Sequence, residues 1–181
     1  MKRRAAKRAS TSFCEIEYAL RKRPEISKNE SWDRLLPHLK DWNNGQGIDP
    51  LDWVACSGNF DLAIGYTTLF WPDFVEHDDM VLLSSRLNEK LDGITSCLEK
   101  LSHDKTQVER LLNHLHLLDT HYAGCPGATP EKLEFLGKTI REMWAAKLSQ
   151  DFPGVRFAVE FFGNSSSDLS DYQLTFHKIR D

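Results

Sequence analysis

The spacing of apolar residues predicts helices along most of the chain. Leucine and other apolar residues recur every three or four positions in several segments, which is the pattern of amphipathic helices. Each segment follows a residue that can cap a helix, and about six helices are predicted in this way. The clearest start signals are Ser12, Asp49, Asn59, Ser84, Thr106 and Thr129. Pro37 is expected either to kink a further segment that begins at Ser31 or to start a new turn there.

Two of these helices carry specific expectations about packing. In the helix after Asn59, the residues Phe60, Ala63 and Ile64 share one face, which is expected to point into the core. This helix is also expected to form a tight helical hairpin with the short helix before it. Thr106 and Glu109 form a capping-box pattern, and apolar spacing continues from there to Tyr122, so one long helix is expected over this range.

The hydrophobic period changes from helical to alternating at the C-terminus. Apolar residues occupy every second position from Val155 to Phe161 and again from Tyr172 to Phe176, which is typical of strands. These runs predict an antiparallel hairpin over residues 155–179, packed on the helices because a lone hairpin is marginal in water. The stretch from Phe74 to Leu83 alternates only partly, which permits a short strand or an extended connector. The predicted fold class is therefore α+β and dominated by helices.

Length and charge divide the 181 residues into a basic arm and an acidic body. Residues 1–11 are expected to form a disordered arm, or alternatively a transit peptide, and residues 12–181 a single globular domain. The net charge is −4, but five Lys and Arg residues precede the first acidic residue, Glu15. Without them the chain has 18 basic and 27 acidic residues, a charge of −9. Contact with nucleic acid is therefore expected only through the arm.

The cysteines and the hydropathy indicate a reducing, aqueous compartment. Cys14, Cys56, Cys97 and Cys125 are widely spaced, with none of the short spacings that zinc sites use. Reduced thiols and a cytoplasmic location are expected. No apolar run approaches the ~20 residues that a membrane-spanning helix needs, so no membrane association is expected.

No recognisable catalytic or cofactor motif occurs in the chain, and we expect no catalytic residue, metal or cofactor. His114, His116 and His121 fall on one predicted helix, but His114 and His116 are about 200° apart around its axis. His114 and His121 share a flank at ~10.5 Å along the axis, too far to chelate one ion by themselves. A polar helix flank is the favoured interpretation.

The most aromatic part of the chain ends in a cluster of acids. We predict that large rings and carboxylates here form a binding surface, as at the centres and rims of protein interfaces. The candidate binding residues are Trp53, Phe60, Trp71, Asp73, Phe74, Glu76, His77, Asp78 and Asp79. The leading hypothesis is a non-enzymatic module that binds, and restrains or neutralises, a basic protein such as a toxin or nuclease. The sequence leaves the oligomeric state open.

One alternative places chemistry in the same cluster. Adjacent carboxylates can bind a hard cation, and His77 next to Asp78 could act as an oriented base. The alternative function is therefore a metal-dependent hydrolase that uses residues 76–79 together with His114 or His121. A solvated acidic turn is the simpler interpretation of the same four residues.

Overall fold

The structure is a computed structural model that describes residues 32–121, 127–163 and 168–180, with the side chains of residues 86–92 excepted. The chain divides into two compact units, Met1–Trp53 and Val54–Asp181. The predicted arm, the helix expected after Ser12 and the Ser31 cap lie outside the described residues, as do Cys14 and Cys125.

The described part of the first unit, residues 32–53, contains short helical turns and two buried leucines. Helix α1 spans Trp32–Leu35, a 3-10 turn spans Pro37–Asp41, and α2 spans Trp42–Gly45. Pro37 begins the 3-10 turn, which confirms the second of the two alternatives expected for this proline. Leu35 and Leu39 are buried.

Two further helices begin at the predicted caps. Helix α3 spans Pro50–Ser57, and the Asp49 carboxylate accepts a hydrogen bond from Leu51 N at 2.8 Å. Helix α4 spans Phe60–Phe70, and the Asn59 side chain accepts a hydrogen bond from Leu62 N at 3.0 Å. These side chains satisfy amide groups that the first turn of a helix leaves without partners.

The segment after α4 is a hairpin rather than a single strand or a connector. Strand β1 spans Phe74–His77 and pairs antiparallel with β2, Met80–Leu83. The two turn residues, Asp78 and Asp79, have φ values of 48° and 60°. Positive φ at both positions is the geometry of a type I′ turn, which matches the twist of the flanking strands.

The second sheet has the strand order β3-β5-β4. Strand β4 spans Phe157–Phe162 and pairs antiparallel with β5, Gln173–Lys178, which confirms the predicted C-terminal strand pair. The short strand β3, Leu115–His116, pairs with the opposite edge of β5 and was not predicted. The described residues thus form a helix-dominated α+β structure, as expected from the sequence.

The long helix α7, Pro130–Asp151, packs on this sheet and closes the main core. Thr129 caps its start as predicted, because its hydroxyl accepts a hydrogen bond from Lys132 N at 3.3 Å. The predicted inward positions are buried at Leu133, Ile140, Trp144 and Leu148. Gly137 lets the helix lie directly against the sheet, since a Cβ there would come within 2.1 Å of the Phe161 ring.

Two helices connect the sheets, and the second one differs from its prediction. Helix α5 spans Ser84–Lys100 and α6 spans Lys105–Leu112. The N-cap of α6 is Asp104, which accepts a hydrogen bond from Gln107 N at 3.1 Å, so the expected cap at Thr106 is wrong. The helix also ends ten residues before Tyr122, because Leu115 and His116 pair with β5 instead of continuing the helix.

Two buried side chains, Glu109 in α6 and Asn113 at its C-cap, hydrogen-bond to both sheets. Glu109 accepts hydrogen bonds from Val81 N of β2 at 2.8 Å and from Lys178 N of β5 at 3.1 Å. One turn later, Asn113 accepts from Leu83 N at 3.0 Å and donates to Val81 O at 2.9 Å. The edges of β2 and β5 are therefore connected through side chains, and buried backbone groups there have partners.

No helix in the described ranges combines the length and apolar character needed to cross a membrane.

Candidate protein-binding surface

Helix α4 presents large apolar side chains to solvent. Phe60 is 88% exposed, Leu62 is 60% exposed and Ile64 is 67% exposed. The inward face predicted for Phe60 and Ile64 is therefore wrong. In α3, Leu51 and Val54 are also exposed. We call Phe60, Leu62 and Ile64 the α4 surface.

The last turn of α4 packs against the main core. Leu69 and Phe70 are partly buried against the main core, and Leu69 O accepts a hydrogen bond from the indole N–H of Trp144 at 2.8 Å. One turn earlier, the Tyr66 hydroxyl lies 2.8 Å from Nε2 of His121. The two turns that carry the α4 surface extend beyond these contacts.

The sequence of α4 does little to stabilise the helix by itself. Gly65 lies in its middle, and glycine costs about 1 kcal/mol relative to alanine in a helix interior. Thr67 and Thr68 donate their hydroxyls back to the carbonyls of Ile64 and Gly65, at 2.7 and 2.8 Å. An isolated helix of 11 residues is marginal in water. Burial of the α4 surface by another molecule would supply the missing stabilisation.

The sequence on either side of α4 is acidic. Residues 41–85 contain eight Asp and Glu residues and neither Lys nor Arg. Asp61 lies in the first turn of α4, and Asp73 lies in the exposed segment between α4 and β1. The apolar side chains are therefore accompanied by carboxylates, and ligands with positive charge next to apolar groups would be complementary to them.

The predicted aromatic residues of the second unit differ in their exposure. Phe60 is on the α4 surface, whereas Phe74 is partly buried against the main core, with its ring centroid 5.0 Å from that of Phe176. Trp71 is 39% exposed, and Lys147 Nζ lies 5.9 Å from its ring centroid. Trp53 belongs to the first unit, where its ring contacts His38 at 5.3 Å.

The predicted acidic cluster lies on the β1–β2 hairpin and is paired with basic residues. Lys105 forms an ion pair with Asp78 at 3.4 Å, and both Lys178 and Arg180 pair with Asp79. The hydrogen bond from Lys178 lowers the pKa of Asp79, and the positive charges of Lys178, Arg180 and Lys105 act in the same direction. Glu76 and His77 lie in β1 opposite Val81 and Met80.

The three histidines of the alternative hypothesis do not share a helix, so the prediction that they do is wrong. His114 follows α6 and lies 2.7 Å from Oε1 of Gln173, while His116 is in β3. His121 follows a 3-10 turn and contacts Tyr66. Within the described ranges, no group of three or more His, Cys, Asp or Glu residues could hold a metal ion.

Leu62 and Ile64 were not predicted as surface residues. A signal was present at Leu62, which lies about 200° around the helix from Phe60 and so cannot face the same core as Phe60 and Ile64. Comparison of the chain with protein-family models, curated proteins and solved structures found no match.

Proposed function

We propose that this protein is a non-enzymatic binding module whose α4 surface binds a basic protein and, by doing so, restrains it. The observation that carries the proposal is the exposure of three large apolar side chains on one short helix in an acidic stretch. Monomeric proteins rarely expose neighbouring apolar side chains in this way, and such patches mark sites of interaction.

Charge favours a basic partner over a second copy of the same chain. Two α4 helices that packed together would bring like charges together at Asp61, and residues 41–85 contain no Lys or Arg to offset them. An anionic membrane surface would be repelled for the same reason. A partner helix with apolar residues on one face and Lys or Arg beside them would complement both the apolar side chains and the acidic residues of α4.

The test uses two synthetic amphipathic helices that share an apolar leucine face. The polar face of one peptide is lysine, and that of the other is glutamate. The lysine peptide is expected to bind more tightly, as measured by isothermal titration calorimetry. The double substitution of Phe60 and Ile64 by Ser should cost about 3 kcal/mol of binding free energy, roughly a hundredfold in affinity, if both side chains are largely buried.

A matched variant separates loss of the surface from loss of the helix. Gly65→Ala adds a methyl group where no other atom lies within 4 Å, and it favours the helical state of α4. It should therefore tighten binding of the lysine peptide. Equal affinity for the two peptides, or unchanged binding by the Phe60/Ile64 variant, would contradict the proposal. If the protein bound zwitterionic vesicles and the Phe60/Ile64 variant did not, the α4 surface would be assigned to lipid binding instead.

A further inference from the structure

Strand β4 lies at one edge of the second sheet, and the pairing of its neighbour β5 shows which backbone groups of β4 point away from the sheet. Three hydrogen bonds on the side of β5 away from β4 show this. Just before the strand, Tyr172 O accepts from Leu117 N. Within the strand, Phe176 O accepts from the Asn113 side chain and Lys178 N donates to Glu109. The even-numbered residues of β5 therefore direct their backbone groups away from β4, and the odd-numbered residues direct theirs toward it. The register pairs these odd residues with Ala158, Glu160 and Phe162.

It follows that Phe157, Val159 and Phe161 direct their N–H and C=O groups away from β5. Ile179 N donates to Arg156 O at 2.8 Å, which continues the even-numbered set of β4 and supports this assignment. Among the described residues, the outward groups of Phe157, Val159 and Phe161 have no backbone partner. Helix α7 packs on the face of β4, where Gly137 lies against the ring of Phe161.

The edge also lacks the features that usually prevent strand pairing. Natural edge strands are short, bulged, or carry proline or inward-pointing charge. Strand β4 has six residues in continuous register with β5, without a bulge, and its sequence FAVEFF contains no Pro, Gly or Lys. Phe162 at its end is 41% exposed. An edge of this kind is suited to pairing with another strand.

We propose that β4 pairs antiparallel with β4 of a second copy of this chain, with a twofold axis at Val159. This register places Phe157 opposite Phe161 of the partner copy and Val159 opposite itself. All the outward groups then find partners, with about six hydrogen bonds between the subunits. The two sheets become one continuous sheet across the dimer.

The side chains of β4 fit a register with the twofold axis at Val159 better than the adjacent register with the axis at Glu160. Ala158 lies opposite Glu160 of the other copy, so no two carboxylates face each other. A shift of the axis to Glu160 would place two carboxylates in direct opposition and leave Phe157 unpaired. The strand is therefore self-complementary in both hydrogen bonding and charge about Val159.

Amide exchange along β4 tests the pairing with its own internal control. The amides of Ala158, Glu160 and Phe162 are bonded to β5 and should be protected at every protein concentration. Those of Phe157, Val159 and Phe161 should gain protection as the concentration rises from micromolar to millimolar. Over the same range the sedimenting mass should rise from 20.8 kDa toward about twice that value.

Two substitutions of opposite sign at Ala158 test the register. Ala158→Glu places carboxylates opposite Glu160 of the other copy, and should weaken the dimer roughly three- to thirtyfold, because the contact occurs twice. Ala158→Lys should tighten it. Thermal melts at low concentration show whether each monomer is folded.

The proposal is overturned by any of three results. The first is a monomer at all concentrations, whether the outward amides are exchanging or protected. The second is a dimer in which those amides remain unprotected. The third is an equal effect of the Glu and Lys substitutions on the dissociation constant of dimers built from folded monomers. These outcomes do not depend on the α4 surface.

Discussion

Removal of the Glu109 carboxylate should strongly destabilise the protein. Glu109 is fully buried and accepts hydrogen bonds from Val81 N, Lys178 N and, at 2.6 Å, Arg180 Nη1. Its hydrogen bond and charge raise the pKa of Arg180. The side chain holds two strands and the C-terminal segment at once.

The magnitude follows from the groups that Glu109→Ala leaves without partners. A buried donor without an acceptor costs about 1–3 kcal/mol, and removal of one member of a buried ion pair costs about 3–5 kcal/mol. Val81 is buried, whereas Arg180 is partly exposed and can regain water. We therefore expect a loss of about 3–4 kcal/mol. Glu109→Gln retains one acceptor but places an amide donor against other donors, and should cost about 2 kcal/mol.

The assay is urea unfolding followed by circular dichroism and by the fluorescence of buried Trp144. Glu142→Ala, on the exposed face of α7, is the matched control and should change the free energy of unfolding by no more than about 0.5 kcal/mol. A loss below about 1 kcal/mol for Glu109→Ala would refute the argument that this carboxylate joins the two sheets.

Three other substitutions test neighbouring parts of the fold by the same measurement. Asn113→Leu should cost about 2–4 kcal/mol, because it removes a buried side chain that bonds β2 and β5; a neutral effect would contradict its role. Gly137→Ala should cost about 1–3 kcal/mol through its clash with the Phe161 ring, whereas a gain in stability would show that the ring can move. Because the pKa of Asp79 is lowered from its ordinary value of 3.8, the ionised carboxylate stabilises the fold above that pH, and this contribution is lost as the pH falls through the folded pKa. Asp79→Asn should therefore be less stable than wild type at neutral pH and equal to it in strong acid; a deficit that persists in acid would argue against the charge interaction.

Much of the fold was predictable because the relevant signals are local. The caps at Asp49, Asn59 and Thr129 depend on a side chain and an amide two or three residues away, and all three helices begin as expected. The alternation through Phe157 and Leu174 places apolar residues on one face of each strand, which the register of β4 and β5 confirms.

The candidate site was predicted less well, because exposure depends on what the rest of the chain covers. Helical spacing at Phe60 and Ile64 indicates a common face but not whether a core lies opposite it. A turn was one interpretation of the cluster from Glu76 to Asp79. The ion pairs of Asp79 with Lys178 and Arg180, about a hundred residues away, could not be predicted from the sequence near the cluster.

The sequence by itself determined the caps at Asp49, Asn59 and Thr129 and the C-terminal strand pair, since each follows from residues close together in the chain. Only the tertiary structure decided that α6 ends at Leu112, that β3 joins the sheet, and that Glu109 is a buried link rather than part of a helix cap. The physical reason is competition for hydrogen bonds. The edges of β2 and β5 offer backbone groups that must be satisfied, and their proximity arises only when distant segments fold together.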